Sequence, residues 1–124
     1  MAGPNILVAT QARALRRALT AYLYSTPGDP QVETSGELAA ALDLLETRQS
    51  DVFVLDADLV DARAPVSLAG ILLRLRRQYP HLNLIVLVDS AAQETLSLTA
   101  GATYALHKGQ LDGRLAEAVL ASRA

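Results

Sequence analysis

The chain has no cysteine, no tryptophan and a single phenylalanine among its 124 residues. Without cysteine there are no disulfides, no thiolate metal sites and no thiol nucleophile. With aromatic residues at 4%, the core has to be built from Leu, Val, Ile and Ala, which supply most of the 51% apolar content. Basic residues are not in excess: the net charge is −2, whereas a nucleic-acid-binding domain ordinarily carries a basic stripe. No apolar run approaches the roughly 18 residues of a membrane span, and Met1–Asn5 lacks the basic-then-apolar shape of a secretory leader. A soluble, cytoplasmic domain is expected. Glycine is missing where nucleotide binding would need it. The turn after the first apolar run reads Thr10-Gln11-Ala12-Arg13, with no glycine to let backbone approach a pyrophosphate. Neither a G-x-x-x-x-G-K-[ST] phosphate cradle nor a G-x-S-x-G nucleophile elbow occurs. His81 and His107 stand alone, without a second ligand at helical spacing, so no metal centre is expected.

What is present is an alternation of short buried-strand runs and helical stripes from end to end. Ile6–Ala9 is the first strand, followed by a stripe of Leu15, Leu19, Tyr22 and Leu23. Pro27-Gly28-Asp29-Pro30 breaks the chain before a short polar strand over Gln31–Thr34, as suits a sheet edge. Ser35 is the expected cap of a second helix that buries Leu38, Leu42 and Leu45. Val52–Leu55 is the third strand. Pro65 is placed in the first turn of a helix carrying Leu68, Ile71, Leu72 and Leu75, which Pro80 stops. Leu84–Val88 is the fourth strand, and Ala91–Ala100 a helix closed by Gly101. Ala102–Leu106 is the fifth, and Leu111, Leu115 and Val119 carry the last helix. Five strands and five helices in strict alternation predict one α/β domain over residues 1–124, a parallel sheet with helices on both faces.

The third strand runs into Asp56-Ala57-Asp58, and the carboxyl ends of central strands are where open α/β sheets place their chemistry. Asp56 at that end, Gly101-Ala102 before the fifth strand and Lys108-Gly109 after it together resemble the receiver domain of bacterial response regulators. The resemblance spans essentially the whole chain. It includes Ile6-Leu7-Val8, the Leu15-Arg16-Arg17-Ala18-Leu19 run and Arg74–Pro80 leading into strand four. It implies the flavodoxin-like strand order 2-1-3-4-5, a phosphoacceptor role for Asp56 and a phosphate-binding role for Lys108.

Phosphoryl transfer to an aspartate needs a Mg²⁺ ion to neutralise the moving phosphoryl oxygens, a lysine for the product phosphate and a small hydroxyl to sense it. Here the family's acidic pair falls on Thr10 and Gln11, which carry no charge. The hydroxyl position falls on Val88 and the switch aromatic on Ala105, with Tyr104 on the opposite side of the strand. Leu59-Val60-Asp61 replaces the turn that usually follows the phosphoacceptor.

The expectation is therefore a degenerate receiver, with no catalytic activity and no cofactor. Asp56 is read as a carboxylate paired with Lys108, Thr10 and Gln11 as loop residues leaving the pocket uncharged, and Ser90 as a helix cap. Asp58, Asp61 and Asp89 are read as solvated loop carboxylates, and Arg74, Arg76 and Arg77 as a solvated basic face. The implied partners are a second copy of the chain through helix four, strand five and helix five, a histidine kinase, or an output domain of a longer regulator controlling transcription. No direct nucleic-acid or membrane contact is expected. Two alternatives stand beside this. One is a working phosphoacceptor that recruits Mg²⁺ through Asp58, Asp61 or Asp89. The other is a small-molecule-binding domain whose uncharged pocket lies near Thr10, Val88 and Lys108.

Overall fold

The computed structural model describes residues 3–60, 67–111 and 113–121. Five parallel strands, β1 (Asn5–Ala9), β2 (Gln31–Ser35), β3 (Val52–Asp56), β4 (Asn83–Val88) and β5 (Tyr104–His107), form one sheet in the order β2-β1-β3-β4-β5. Helices α1 (Arg13–Tyr24), α2 (Leu38–Thr47), α3 (Leu68–Gln78), α4 (Ala91–Thr99) and α5 (Arg114–Ala121) connect or follow them, with short 3₁₀ turns at Ala57–Leu59 and Lys108–Gln110. Among the described residues, no helix is long and apolar enough to cross a membrane.

The strand pattern follows from position in the sheet. Every residue of β3 and β4 is buried, as a central strand covered on both faces must be, and their sequences VFVLD and NLIVLV supply side chains for both. Edge strand β2, QVETS, is only half-buried. Alternation then sorts the core into two layers. Phe53, Leu55, Leu84 and Val86 pack under α2 and α3 with Ala41, Leu45, Ile71, Leu72 and Leu75. Val52, Val54, Ile85 and Leu87 pack under α1 and α5 with Leu19, Leu23, Leu115 and Val119. Tyr104 joins the second layer and Ala105 the first, so the two neighbours do lie on opposite sides of β5.

Two expected helix starts change. Ser35 ends β2 and its hydroxyl turns onto the backbone of Glu37, while Glu37 itself precedes α2 without a side-chain cap. The strand extends one residue further than its polar sequence suggests because Ser35 pairs in register with Ala9. Pro65 lies outside the described residues; α3 begins at Leu68 and is capped by Ser67, whose hydroxyl accepts from the Gly70 amide at 3.1 Å. Gly101 follows α4 with φ +112°, as a glycine closing a helix should.

Arg76 is not part of a solvated basic face. Its guanidinium donates to the carbonyls of Gly101 (2.9 Å), Leu82 (2.8 Å), Pro80 (3.0 Å) and Tyr79 (3.3 Å), and to the Thr103 hydroxyl (3.0 Å). One planar fork thus ties the end of α3, the start of β4 and the α4–β5 turn together. Arg74 and Arg77 are exposed.

Candidate functional site

Parallel strands all point their carboxyl ends the same way, so the segments after β1, β3, β4 and β5 meet at one edge of the sheet. Asp56 is the last residue of β3 and only 3% exposed. A carboxylate so buried needs partners for its charge and lone pairs. Oδ1 accepts from the Asp58 backbone amide at 2.9 Å and lies 2.6 Å from the Lys108 ammonium. Oδ2 accepts from the Thr10 hydroxyl at 2.6 Å.

Lys108 reaches this carboxylate from the 3₁₀ turn after β5, and it does not stop there. Its Nζ also donates to Asp58 Oδ2 at 2.8 Å and to Asp89 Oδ2 at 3.1 Å. An ammonium has three N–H donors, and three carboxylates from three segments take them. Partial burial alone would push Lys108 towards its neutral form, but the hydrogen bonds it donates to Asp56, Asp58 and Asp89 outweigh that and hold it above the ordinary lysine range.

Thr10 is completely buried and held from several sides. Its amide donates to Ser35 O at 3.0 Å and its carbonyl accepts from Arg16 Nη1 at 3.1 Å. Gly36 makes room for that arginine, because a Cβ there would come within 2.5 Å of Arg16 Nη1. Gln11 is exposed. Val88 is wholly buried at the end of β4, in the same layer as the half-buried Ala105. Ser90 caps α4: its hydroxyl accepts from the Gln93 amide at 3.1 Å, and Gln93 Oε1 accepts from the Asp89 amide at 2.8 Å. Asp61 lies outside the described residues.

Asp58 and Asp89 are solvated loop carboxylates, as expected, but they are not without partners. Their side chains are 62% and 50% exposed, yet both are bound to Lys108, because the ammonium sits at the sheet edge where their loops converge. One expectation is corrected: the pocket is not uncharged, since the Thr10 side chain faces the carboxylate end of an ion cluster. Clefts of about 910 Å³ and about 320 Å³ lie instead at the opposite end of the strands, the first lined by residues including Tyr79, Asn83 and Tyr104. Arg16 and the His107–Glu94 pair (Nε2 to Oε1, 3.5 Å) escaped sequence reasoning. Gln93 did not have to, because Ser90-x-x-Gln93 has the spacing of a capping box.

The fold family implies a Mg²⁺ ion beside the buried aspartate, and the residues here do not fit one. A hard divalent cation wants carboxylate oxygens with free lone pairs. At the acidic-pair positions stand an exposed amide and a hydroxyl that donates its hydrogen bond to Asp56. The nearby carboxylates of Asp58 and Asp89 are turned onto Lys108. Among the described residues, no cluster of three acidic or histidine side chains is arranged to hold a metal ion.

The chain has the fold of response regulator receiver domains. It matches a Francisella response regulator receiver domain with a TM-score of 0.78 at 21% identity, covering 96% of this chain and 95% of that one. A Thermotoga maritima response regulator, TrrA, solved with Mg²⁺ and a beryllium fluoride, matches at 0.78 and 20% identity over 96% and 98% of the two chains. Salmonella RcsB, solved on promoter DNA with a phosphomimetic, matches at 0.79 and 17% identity over 94% of this chain and 66% of that one. No family model and no curated protein matches the sequence.

Proposed function

We propose that the chain is a receiver-type signalling module that acts through protein contacts and is not switched by Mg²⁺-dependent phosphorylation of Asp56. One observation carries this reading: all three donors of Lys108 are spent on Asp56, Asp58 and Asp89, and the Thr10 hydroxyl is spent on Asp56. An incoming phosphoryl group finds an acceptor oxygen already hydrogen-bonded, a lysine already neutralised and no pair of carboxylates to bring a metal. The module is cytoplasmic, performs no catalysis and binds no nucleic acid directly. It regulates transcription through an output domain or partner protein.

Its contact surface is α4, β5 and α5, through which it pairs with a second copy. The support is compositional: Leu96 and Leu98 of α4 and Leu120 of α5 are exposed large apolar residues, and the outward residues of α4 (Ala91, Ala92, Thr95, Leu96, Leu98 and Thr99) carry no charge. The deciding experiment is incubation with acetyl phosphate and Mg²⁺, with beryllofluoride in parallel, read by intact mass and thermal unfolding. No added mass and no stabilisation is the expected result. A gain of one phosphate that disappears in Asp56→Asn would overturn the reading and restore a conventional phosphoacceptor.

A further inference from the structure

The output surface begins at α4, so something must relate α4 to the buried site. Val88 and Ala105 offer neither a hydroxyl nor an aromatic ring for that purpose. Among the described residues, Asp89 touches both sides. Its carboxylate takes one donor of Lys108 at 3.1 Å, while its own amide is held by Gln93 Oε1 at 2.8 Å, inside the first turn of α4. The Ser90 hydroxyl closes the same turn from the next residue. A second link runs beside it, from His107 on β5 to Glu94 on α4.

We infer that Asp89 is the positioning residue through which the Lys108 cluster sets the start of α4. The path runs from buried Asp56 through the shared ammonium to the Asp89 carboxylate, then through the Asp89 amide into Gln93 and the first helical turn. The two contacts of the ammonium are charged hydrogen bonds and the last step, from the Asp89 amide to Gln93 Oε1, is a neutral one; all are directional enough to hold a helix end in place. Asp58 makes the shorter contact to the same ammonium but leads to no helix of the output face. The two carboxylates therefore draw on one charge and differ in what they hold. The inference rests on the reading of this domain as a signalling module whose α4 surface matters, but its test is separate from that of phosphorylation.

Hydrogen exchange on the full chain tells the two carboxylates apart. Asp89→Asn is expected to speed exchange at the Gln93 and Glu94 amides about threefold to fivefold relative to Asp58→Asn, the range an exposed ion pair supports. Amides of β3 should be unchanged in both variants. Asp89→Glu, which keeps a carboxylate within reach of Lys108, should return exchange at these amides towards that of the natural chain. Equal exchange at Gln93 and Glu94 in the two Asn variants would overturn the inference. So would failure of Asp89→Glu to differ from Asp89→Asn. Neither outcome depends on whether acetyl phosphate modifies Asp56.

Discussion

Lys108 and Asp56 form one ion pair, yet removing one partner should cost far more than removing the other. Lys108→Met leaves the Asp56 carboxylate, 3% exposed, without a counter-ion, and leaves Asp58 and Asp89 facing it. Breaking a buried pair in this way costs roughly 3–5 kcal/mol. Two donors to Asp56 survive, the Thr10 hydroxyl and the Asp58 amide, which favours the lower end. About 3 kcal/mol is expected. With roughly 2.1 cal/mol/K of unfolding entropy per residue over 124 residues, that is a fall of about 12 °C in Tm. Asp56→Asn removes the buried charge instead. Lys108 keeps Asp58 and Asp89, and the Thr10 hydroxyl can rotate to accept from the new amide, so the change should stay within about 1 kcal/mol. Urea unfolding at neutral pH, compared at constant m-value, measures both. If Asp56→Asn proves as costly as Lys108→Met, the view of Lys108 as the cation that makes Asp56 tolerable is wrong.

The same cluster predicts an alkaline limit. Because the folded state holds Lys108 above its ordinary value, the stability it contributes is fully present below the unfolded lysine value and is lost as pH rises through the folded one. Urea midpoints above about pH 10.5, the ordinary lysine value, should therefore fall for the natural chain more than for Lys108→Met, and parallel curves would contradict this. Arg76→Ala should cost about 2–4 kcal/mol, since it strips charged donors from four carbonyls and a hydroxyl, while Arg74→Ala should stay within about 0.5 kcal/mol. Equal chemical denaturation midpoints for the two would refute the clamp. Gly101→Ala should cost at least about 1 kcal/mol, because φ is +112° and the new Cβ would lie 3.0 Å from Arg76 Cβ. A thermal scan showing no loss would count against that.

The architecture was legible in the chain because the two periods that encode it are local. The runs Ile6–Ala9, Val52–Leu55 and Leu84–Val88 are too short for helices and too apolar for an exposed edge, and the leucine stripes between them recur at helical spacing. Gly101 and Ser90 marked the two ends of α4 for the same reason. Errors came where a boundary depends on partners far along the chain, as at Ser35, whose strand ends by pairing with Ala9 rather than by its own preference.

At the site, the sequence by itself determined the inventory: an aspartate at the end of β3, a lysine after β5, and two neutral residues where an acidic pair is expected. The pairing of Asp56 with Lys108 was expected from the chain, but that Asp58 and Asp89 share the same ammonium was decided only by the tertiary structure. Asp58 and Lys108 are 50 residues apart, Asp89 and Lys108 19, and nothing in their local sequence distinguishes a bonded carboxylate from a solvated one. Arg76 shows the same limit, reading as one of three surface arginines yet closing its fork on five acceptors drawn from separate turns. Hydrophobic periodicity is a property of a chain segment. An ion cluster is a property of a point in space, and only the packing of four parallel strands brings their ends to that point.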